Sequence, residues 1–267
     1  MPRATTSDGV DIAYDVQGDG SPLVLVHGIT EDRLLWQPVV DLLKPDFRCI
    51  SIDLRGHGES GTAADYGALS MAQDLAAVVA AEGPAEAPAV VGHSLGGVVV
   101  TVYAVMSPVR AVVNVDQPLR LGGMAAAVRA MEPTLRGSGF AEAMLAFGEE
   151  LGESVLPDEA REAVRRRHGS ARQEVVLGVW DAIFSSTDEE LDAIFEQQVL
   201  PNVRAPYLAL HGSDPGAGYE AWLTSLVPTA EVEVWDGELH WLHLRDPGRF
   251  AERVRDFVNR GGSPAPG

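Results

Sequence analysis

Six short, continuous apolar runs punctuate the chain: Leu23 to Val26, Cys49 to Ile52, Ala89 to Val91, Ala111 to Val115, Tyr207 to Leu210 and Val232 to Trp235. Runs this short and this rich in Val, Ile and Leu cannot make helices, and they fit strands buried on both faces of a parallel sheet. Stretches with helical periodicity separate most of them: Leu34 to Leu43, Met71 to Ala81, Leu95 to Met106, Tyr219 to Leu226 and, after the last run, Pro247 to Val258. Ser70 with Gln73 reads as a capping box, and Asp246 before Pro247 reads as an N-cap followed by the proline tolerated at the first helical position. Alternation of this kind predicts βαβ units, hence an α/β fold with a mainly parallel sheet covered by helices. Ahead of the first run, residues 9–20 alternate apolar with polar and close in Gly18-Asp19-Gly20, which predicts an antiparallel edge hairpin.

One block breaks the rhythm. Between Leu121 and about Leu200 no strand-like run occurs, only amphipathic segments: Met124 to Met131, Phe140 to Leu151, Asp158 to His168, Gln173 to Ile183 and Glu189 to Val199. The expected organisation is a core built from residues 1–120 and 201–260, a helical cap over 121–200, and a flexible Gly- and Pro-rich tail over 261–267. Arg165-Arg166-Arg167 is expected to be a solvated face of a cap helix.

Composition narrows the partners. The 267 residues carry a formal charge of −19, which repels phosphate backbones and anionic lipid. Neither nucleic acid nor a membrane is an expected partner, and no apolar run approaches the roughly 18 residues of a membrane span. The lone Cys49 allows no internal disulfide, and the first ten residues lack the apolar stretch of a secretory signal, so a cytoplasmic location is expected. No Cys/His cluster has metal-ligand spacing, and neither a GxxxxGK[ST] nor a GxGxxG phosphate loop is present, so no cofactor or metal is expected.

The sharpest chemical signal is Gly92-His93-Ser94-Leu95-Gly96, between the apolar run Ala89 to Val91 and the helical run from Leu95. A strand turning abruptly into a helix holds its middle serine on a strained turn, and flanking glycines are needed where backbone and helix pack too closely for a side chain. The helix N-terminus, with unpaired N–H groups and a positive dipole end, then faces any oxyanion formed beside the serine.

Upstream, the first apolar run ends in His27-Gly28-Ile29, and the second ends in Asp53-Leu54-Arg55-Gly56-His57-Gly58-Glu59-Ser60. With the serine block, in this order and spacing, the chain resembles the α/β-hydrolase superfamily along its whole length, the helical block resembling that superfamily's variable cap. The resemblance implies that Ser94 is the nucleophile and that the backbone N–H groups of Ile29 and Leu95 form the oxyanion hole. Gly28 is then expected beside the substrate, while Asp53, Arg55 and His57 are read as mainly structural.

A serine hydroxyl needs a base, and the base needs an orienting carboxylate. The superfamily's order of serine, acid, histidine along the chain sets aside His27, His57 and His93. Of the rest, His168 lies in the cap and His211 ends a strand, whereas His240 follows the last strand after a short loop and matches the superfamily's terminal histidine; His243, three residues on, is the competitor. Two aspartates follow successive strands. Asp214, in Gly212-Ser213-Asp214, is one residue short of the more usual Gly-x-x-Asp; Asp116, after Ala111 to Val115, matches the earlier position that some members use. Asp116 is preferred and Asp214 is the alternative.

These residues imply a serine hydrolase cleaving a carboxylic ester or lactone of a hydrophobic small molecule, through an acyl-enzyme and without a cofactor, in a monomer or homodimer. Trp180 is the cap side chain expected to touch substrate. The same triad would also serve C–C bond or thioester hydrolysis or cofactor-free perhydrolysis, and a non-catalytic binder on this scaffold is the rival from another class.

Overall fold

The computed structural model describes residues 1–261. Eight strands form one sheet: β1 (Arg3–Thr5), β2 (Asp11–Gln17), β3 (Ser21–Val26), β4 (Phe47–Ile52), β5 (Ala89–His93), β6 (Ala111–Val115), β7 (Tyr207–His211) and β8 (Ala230–Val234), in the spatial order β1-β2-β4-β3-β5-β6-β7-β8. The pairs from β4 through β8 are all parallel, and β2 joins β4 and β1 antiparallel. The expected edge hairpin is therefore real in kind but shifted. Its outer arm is Arg3–Thr5, and β2 is itself paired on both sides.

Alternation along each strand divides the interior into two cores. Val24 and Val26, with Val90 and Val112, face a layer containing Met71, Leu75, Val99, Tyr103 and Leu223. Leu23 and Leu25, with Val91 and Val113, face the opposite layer, with Trp36, Val39, Leu43, Phe250, Val254 and Phe257. Successive side chains on a strand point to opposite faces, so continuous apolar runs are what a doubly covered sheet requires. The last run departs from this. β8 has only β7 beside it, and its Glu231 and Glu233 pair with Arg253 rather than entering a core.

Two local readings need correction. Ser70 lies inside the helix Ala68–Glu82, whose N-cap is Gly67, and its hydroxyl pairs with Asp65 instead of capping. Gly261 closes the helix Pro247–Gly261 instead of starting a tail, because it is still in the last turn of a helix packed on the sheet; the remaining tail, 262–267, lies outside the described residues. Asp246 does cap that helix, its Oδ1 accepting from Arg249 N at 2.9 Å.

Between β6 and β7 the regular elements are all helices, from Gly122–Leu135 to the short turn Leu200–Asn202. The expected segment Gln173 to Ile183 is two helices, Gln173–Val179 and Asp181–Ser185, with Trp180 at the joint; the segment Glu189 to Val199 passes from an α-helix into a π-helical turn at Ile194. These helices share an apolar cluster of Val128, Met144, Val176, Trp180 and Ile183 that also takes in Ile29 below them. In the basic run Arg165 and Arg166 are solvent-exposed as expected, and Arg167 is the exception. Arg167 makes a two-pronged ion pair with Asp32 at 2.7 and 2.8 Å that ties the helical block to the core, while Arg165 pairs with buried Glu153 inside the block.

Candidate active site

Among the described residues, four that are not glycine have positive φ: Thr30 (66°), Ser94 (51°), Asp116 (50°) and Leu239 (57°). They follow β3, β5, β6 and β8, strands that run parallel, so the four strained residues gather at one edge of the sheet. Such backbone costs on the order of 1–3 kcal/mol per residue and persists only where the surroundings enforce it, which makes this edge the place to look for chemistry.

Ser94 has φ 51° and ψ −120°, a sharp reversal between β5 and the helix Leu95–Met106. Its N–H is tied to Val115 O at 2.9 Å, so the turn is anchored to β6. Close packing explains the glycines on either side: a Cβ on Gly92 would overlap the Gly96 carbonyl, and one on Gly96 would overlap the carbonyl of Val26. Ser94 itself stays partly accessible. The N–H groups of Ile29 and Leu95 donate to no protein acceptor among the described residues.

His240 stands on the loop after β8. Its Nδ1 lies 2.7 Å from Asp116 Oδ2, and Asp116 Oδ1 accepts from Gly212 N at 2.9 Å. A carboxylate accepts, so Nδ1–H donates to it. Burial alone would raise the Asp116 carboxyl, but the hydrogen bond and charge of His240, aided by Gly212 N–H, hold it below its ordinary value. The His240 ring lies 4.5 Å from the ring of His93, the residue immediately before Ser94, which brings the histidine loop against the serine turn.

Asp214 is not part of this arrangement. It is exposed, and its Oδ1 accepts from Gly216 N at 2.9 Å, closing a local turn. The shortened loop leaves its carboxylate over its own backbone while Asp116 takes His240. His243 is fully enclosed against Trp36 and His93, so it cannot reach Ser94 from outside the core. His168, in the cap, is buried with Nδ1 bonded to Val164 O, because its helix turns that side onto Trp241. His211 is buried edge-on to Tyr219.

Gly28 offers nothing to a substrate through its backbone: its N–H goes to Glu31 Oε2 at 2.7 Å and its carbonyl accepts from His27 Nδ1 at 2.7 Å. Asp53 and Arg55 are bound to buried structural partners, Arg33 and Asp74. His57 donates Nδ1–H to Arg55 O, and burial with the neighbouring His27 pushes it down to about 3, so it is neutral. Trp180 is 5% exposed, edge-on to Phe147 in the cluster that contains Ile29 and, at its margin, Leu95 and Met124.

Two residues of this region went unmarked in the sequence. Glu31 and Trp241 are buried and hydrogen-bonded to each other, Nε1 to Oε1 at 2.7 Å. The available signal was a glutamate four residues after His27, but it stands in the charged run Glu31-Asp32-Arg33, and no local pattern says that this carboxylate turns inward.

A serine on a strained strand-to-helix turn, at the carboxyl edge of a mostly parallel sheet, is the hallmark of hydrolases of the α/β class. Within that class the sequence model of the alpha/beta hydrolase family matches residues 23–253, and the chain belongs to that family. It is 31% identical over 265 residues to the pimeloyl-[acyl-carrier protein] methyl ester esterase of Vibrio atlanticus, across 92% of this chain and 98% of that protein. Its identity to the enzyme of that name from Photobacterium profundum is 27% over 263 residues, covering 92% and 98%. The crystal structure of an esterase from a Rhodococcus species superposes with a TM-score of 0.80 at 30% identity, covering 98% of this chain and 99% of that one. Family and full-length esterase relatives together place the chain among hydrolases that act on esters. No helix among the described residues is long and apolar enough to cross a membrane.

Proposed function

We propose that the chain is a serine hydrolase that cleaves a carboxylic ester or lactone of a hydrophobic small molecule through an acyl-enzyme on Ser94. The observation that carries this reading is the 2.7 Å bond between His240 Nδ1 and Asp116 Oδ2, with the His240 ring 4.5 Å from that of His93, the residue before Ser94. In the first step His240 Nε2 takes the Ser94 proton as Oγ attacks the carbonyl carbon. The oxyanion that forms is held by Ile29 N–H and Leu95 N–H, each worth roughly 3–4 kcal/mol in such sites. Asp116, kept ionised, steadies the imidazolium, which then gives its proton to the departing alkoxide. Water, deprotonated by the same histidine, attacks the acyl-enzyme and frees the acid.

The substrate class rests on the wall around the two donors. Ile29, Leu95, Leu121, Met124, Val176 and Trp180 belong to one apolar cluster, so the group next to the carbonyl is apolar. The methyl ester esterase names of the relatives support an ester with a small alcohol, and Asp116 rather than Asp214 is the orienting acid in this proposal. Ser94→Ala is expected to abolish hydrolysis of p-nitrophenyl butyrate and covalent labelling by a fluorophosphonate. Undiminished labelling of the folded variant would overturn the assignment of the nucleophile.

A further inference from the structure

We propose that Glu31 and His93 are positioning residues, a buried carboxylate–imidazolium pair that locks the oxyanion loop, the serine turn and the His240 loop into one register. The role rests on the hydrolytic reading of the site; the existence of the pair does not. Glu31 is 4% exposed and His93 is fully enclosed. His93 Nε2 lies 3.0 Å from the carbonyl oxygen of His240, and Nδ1 lies 3.1 Å from Glu31 Oε2. A carbonyl only accepts, so Nε2 carries a proton. Glu31 Oε2 also accepts from Gly28 N at 2.7 Å, and Oε1 accepts from Trp241 Nε1 at 2.7 Å. With a donor already directed at each oxygen, the ionised carboxyl is the favoured form, and Nδ1 then donates to it. Both ring nitrogens of His93 are protonated, and the charge is balanced in place.

The electrostatics agree in direction. Burial alone would raise Glu31, yet the charge and hydrogen bond of His93 hold it well below the usual carboxylate range; burial alone would lower His93, yet Glu31, with lesser help from Asp116 and the His240 carbonyl, raises it. The other groups against the His93 ring are His240 and His243, and burial together with the charge of His93 keeps His243 neutral.

The pair contacts three of the four strained loops. Gly28 leads into Ile29 and strained Thr30, His93 precedes strained Ser94, and His240 with Trp241 follows strained Leu239. A Cβ on Gly28 would stand 3.1 Å from both the Glu31 carboxyl carbon and His93 Nδ1, so glycine is what lets the oxyanion loop close on the pair. A buried ion pair adds little net stability over an apolar filling, but displacing one partner strands a charge in the interior. Three strained loops are thereby held against sliding past one another.

The test uses the full chain, with Glu31→Gln, which keeps shape and removes charge, and Trp241→Phe, which removes one donor and keeps the ring. Nitrogen-15 histidine spectra of the unsubstituted protein at pH 8 should show a histidine protonated on both ring nitrogens, and Glu31→Gln should lose it. In variants that retain cooperative thermal unfolding, kcat for p-nitrophenyl butyrate should fall roughly 10- to 100-fold in Glu31→Gln and less in Trp241→Phe. KM should stay within about twofold, and fluorophosphonate labelling should slow in parallel. Absence of the doubly protonated histidine overturns the pair. An unchanged kcat, or a raised KM with kcat intact, in whichever variant folds overturns the positioning role. If the unsubstituted protein shows no ester turnover, the hydrolytic reading itself fails, and the spectra still decide the pair.

Discussion

Asp116 reaches His240 from a backbone conformation that a non-glycine residue seldom adopts, φ 50°, and from there its two oxygens are shared between His240 Nδ1 at 2.7 Å and Gly212 N at 2.9 Å. One carboxylate thus binds the histidine loop to the end of β7, the strand whose own trailing aspartate, Asp214, turns away to cap Gly216.

Asp116→Asn should therefore be far more damaging than Asp214→Asn. An amide in place of Oδ2 can present its NH₂ to His240 and stabilise the wrong tautomer, with loss of the charge that steadies the imidazolium, and kcat for an activated ester should drop on the order of 10⁴-fold. Asp214→Asn preserves an acceptor for Gly216 N and should change kcat less than about threefold, since the bond it keeps is local and solvent-exposed. Steady-state kinetics on both variants decide the matter, and comparable losses in the two would refute the assignment of the acid.

How much of this was legible beforehand follows from which interactions are local. The strand runs, the serine turn and the cap of the last helix depend on neighbours within a few residues, and they read directly from the sequence. Sequence order alone left Asp116 and Asp214 open, because what separates them is where a loop between two strands directs a carboxylate, and that depends on the φ of Asp116 and the packing of Gly212 on Leu239. Likewise the burial of His168, which follows three arginines, comes from the fold rolling that side of its helix onto Trp241. Arg167 looked solvated until Asp32, 135 positions away in sequence, came beneath it. Long-range juxtapositions of polar groups leave no periodic trace.

The packing of the histidine loop yields a prediction about glycines. A Cβ on Gly212 would overlap the carbonyl of Leu239, and Leu239 N donates to Gly212 O at 3.0 Å, so Gly212→Ala must push the residue before His240 off its seat. A displacement of about 1 Å at the base should cost roughly 100-fold in kcat, with a loss of about 1–3 kcal/mol in stability from the overlap. Gly123 is the control: it is exposed in the helix Gly122–Leu135, and a Cβ there meets nothing within 4 Å. Gly123→Ala should leave kcat alone and raise stability by up to about 1 kcal/mol. Urea titrations with parallel assays distinguish the two, and a fully active Gly212→Ala would mean that the Leu239 turn does not hold His240 in place.

Acid should begin to destabilise the fold well above the carboxylate range. Burial lowers His57, to about 3, and lowers His168, His211 and His243, so all four are neutral in the folded protein near neutrality. In the unfolded chain each protonates around the ordinary histidine value of about 6.5. Between that pH and the folded values the unfolded state binds more protons, so stability falls as pH falls, by up to about 1.4 kcal/mol per pH unit for each fully shifted histidine. Asp116 and Glu31, held low in the folded state, reinforce the trend only below about pH 4.5. His93 has the opposite sign: its contribution is complete below about 6.5 and disappears as pH rises through its raised folded value. Unfolding followed by urea at pH 7.0 and 5.5 should therefore show a lower midpoint at the acid end, and calorimetry in buffers of different ionisation heat should record net proton uptake on unfolding at pH 5.5, with His57 and His243 the main contributors. A midpoint unchanged across this interval, or no proton uptake, would mean that these imidazoles are already charged in the folded protein.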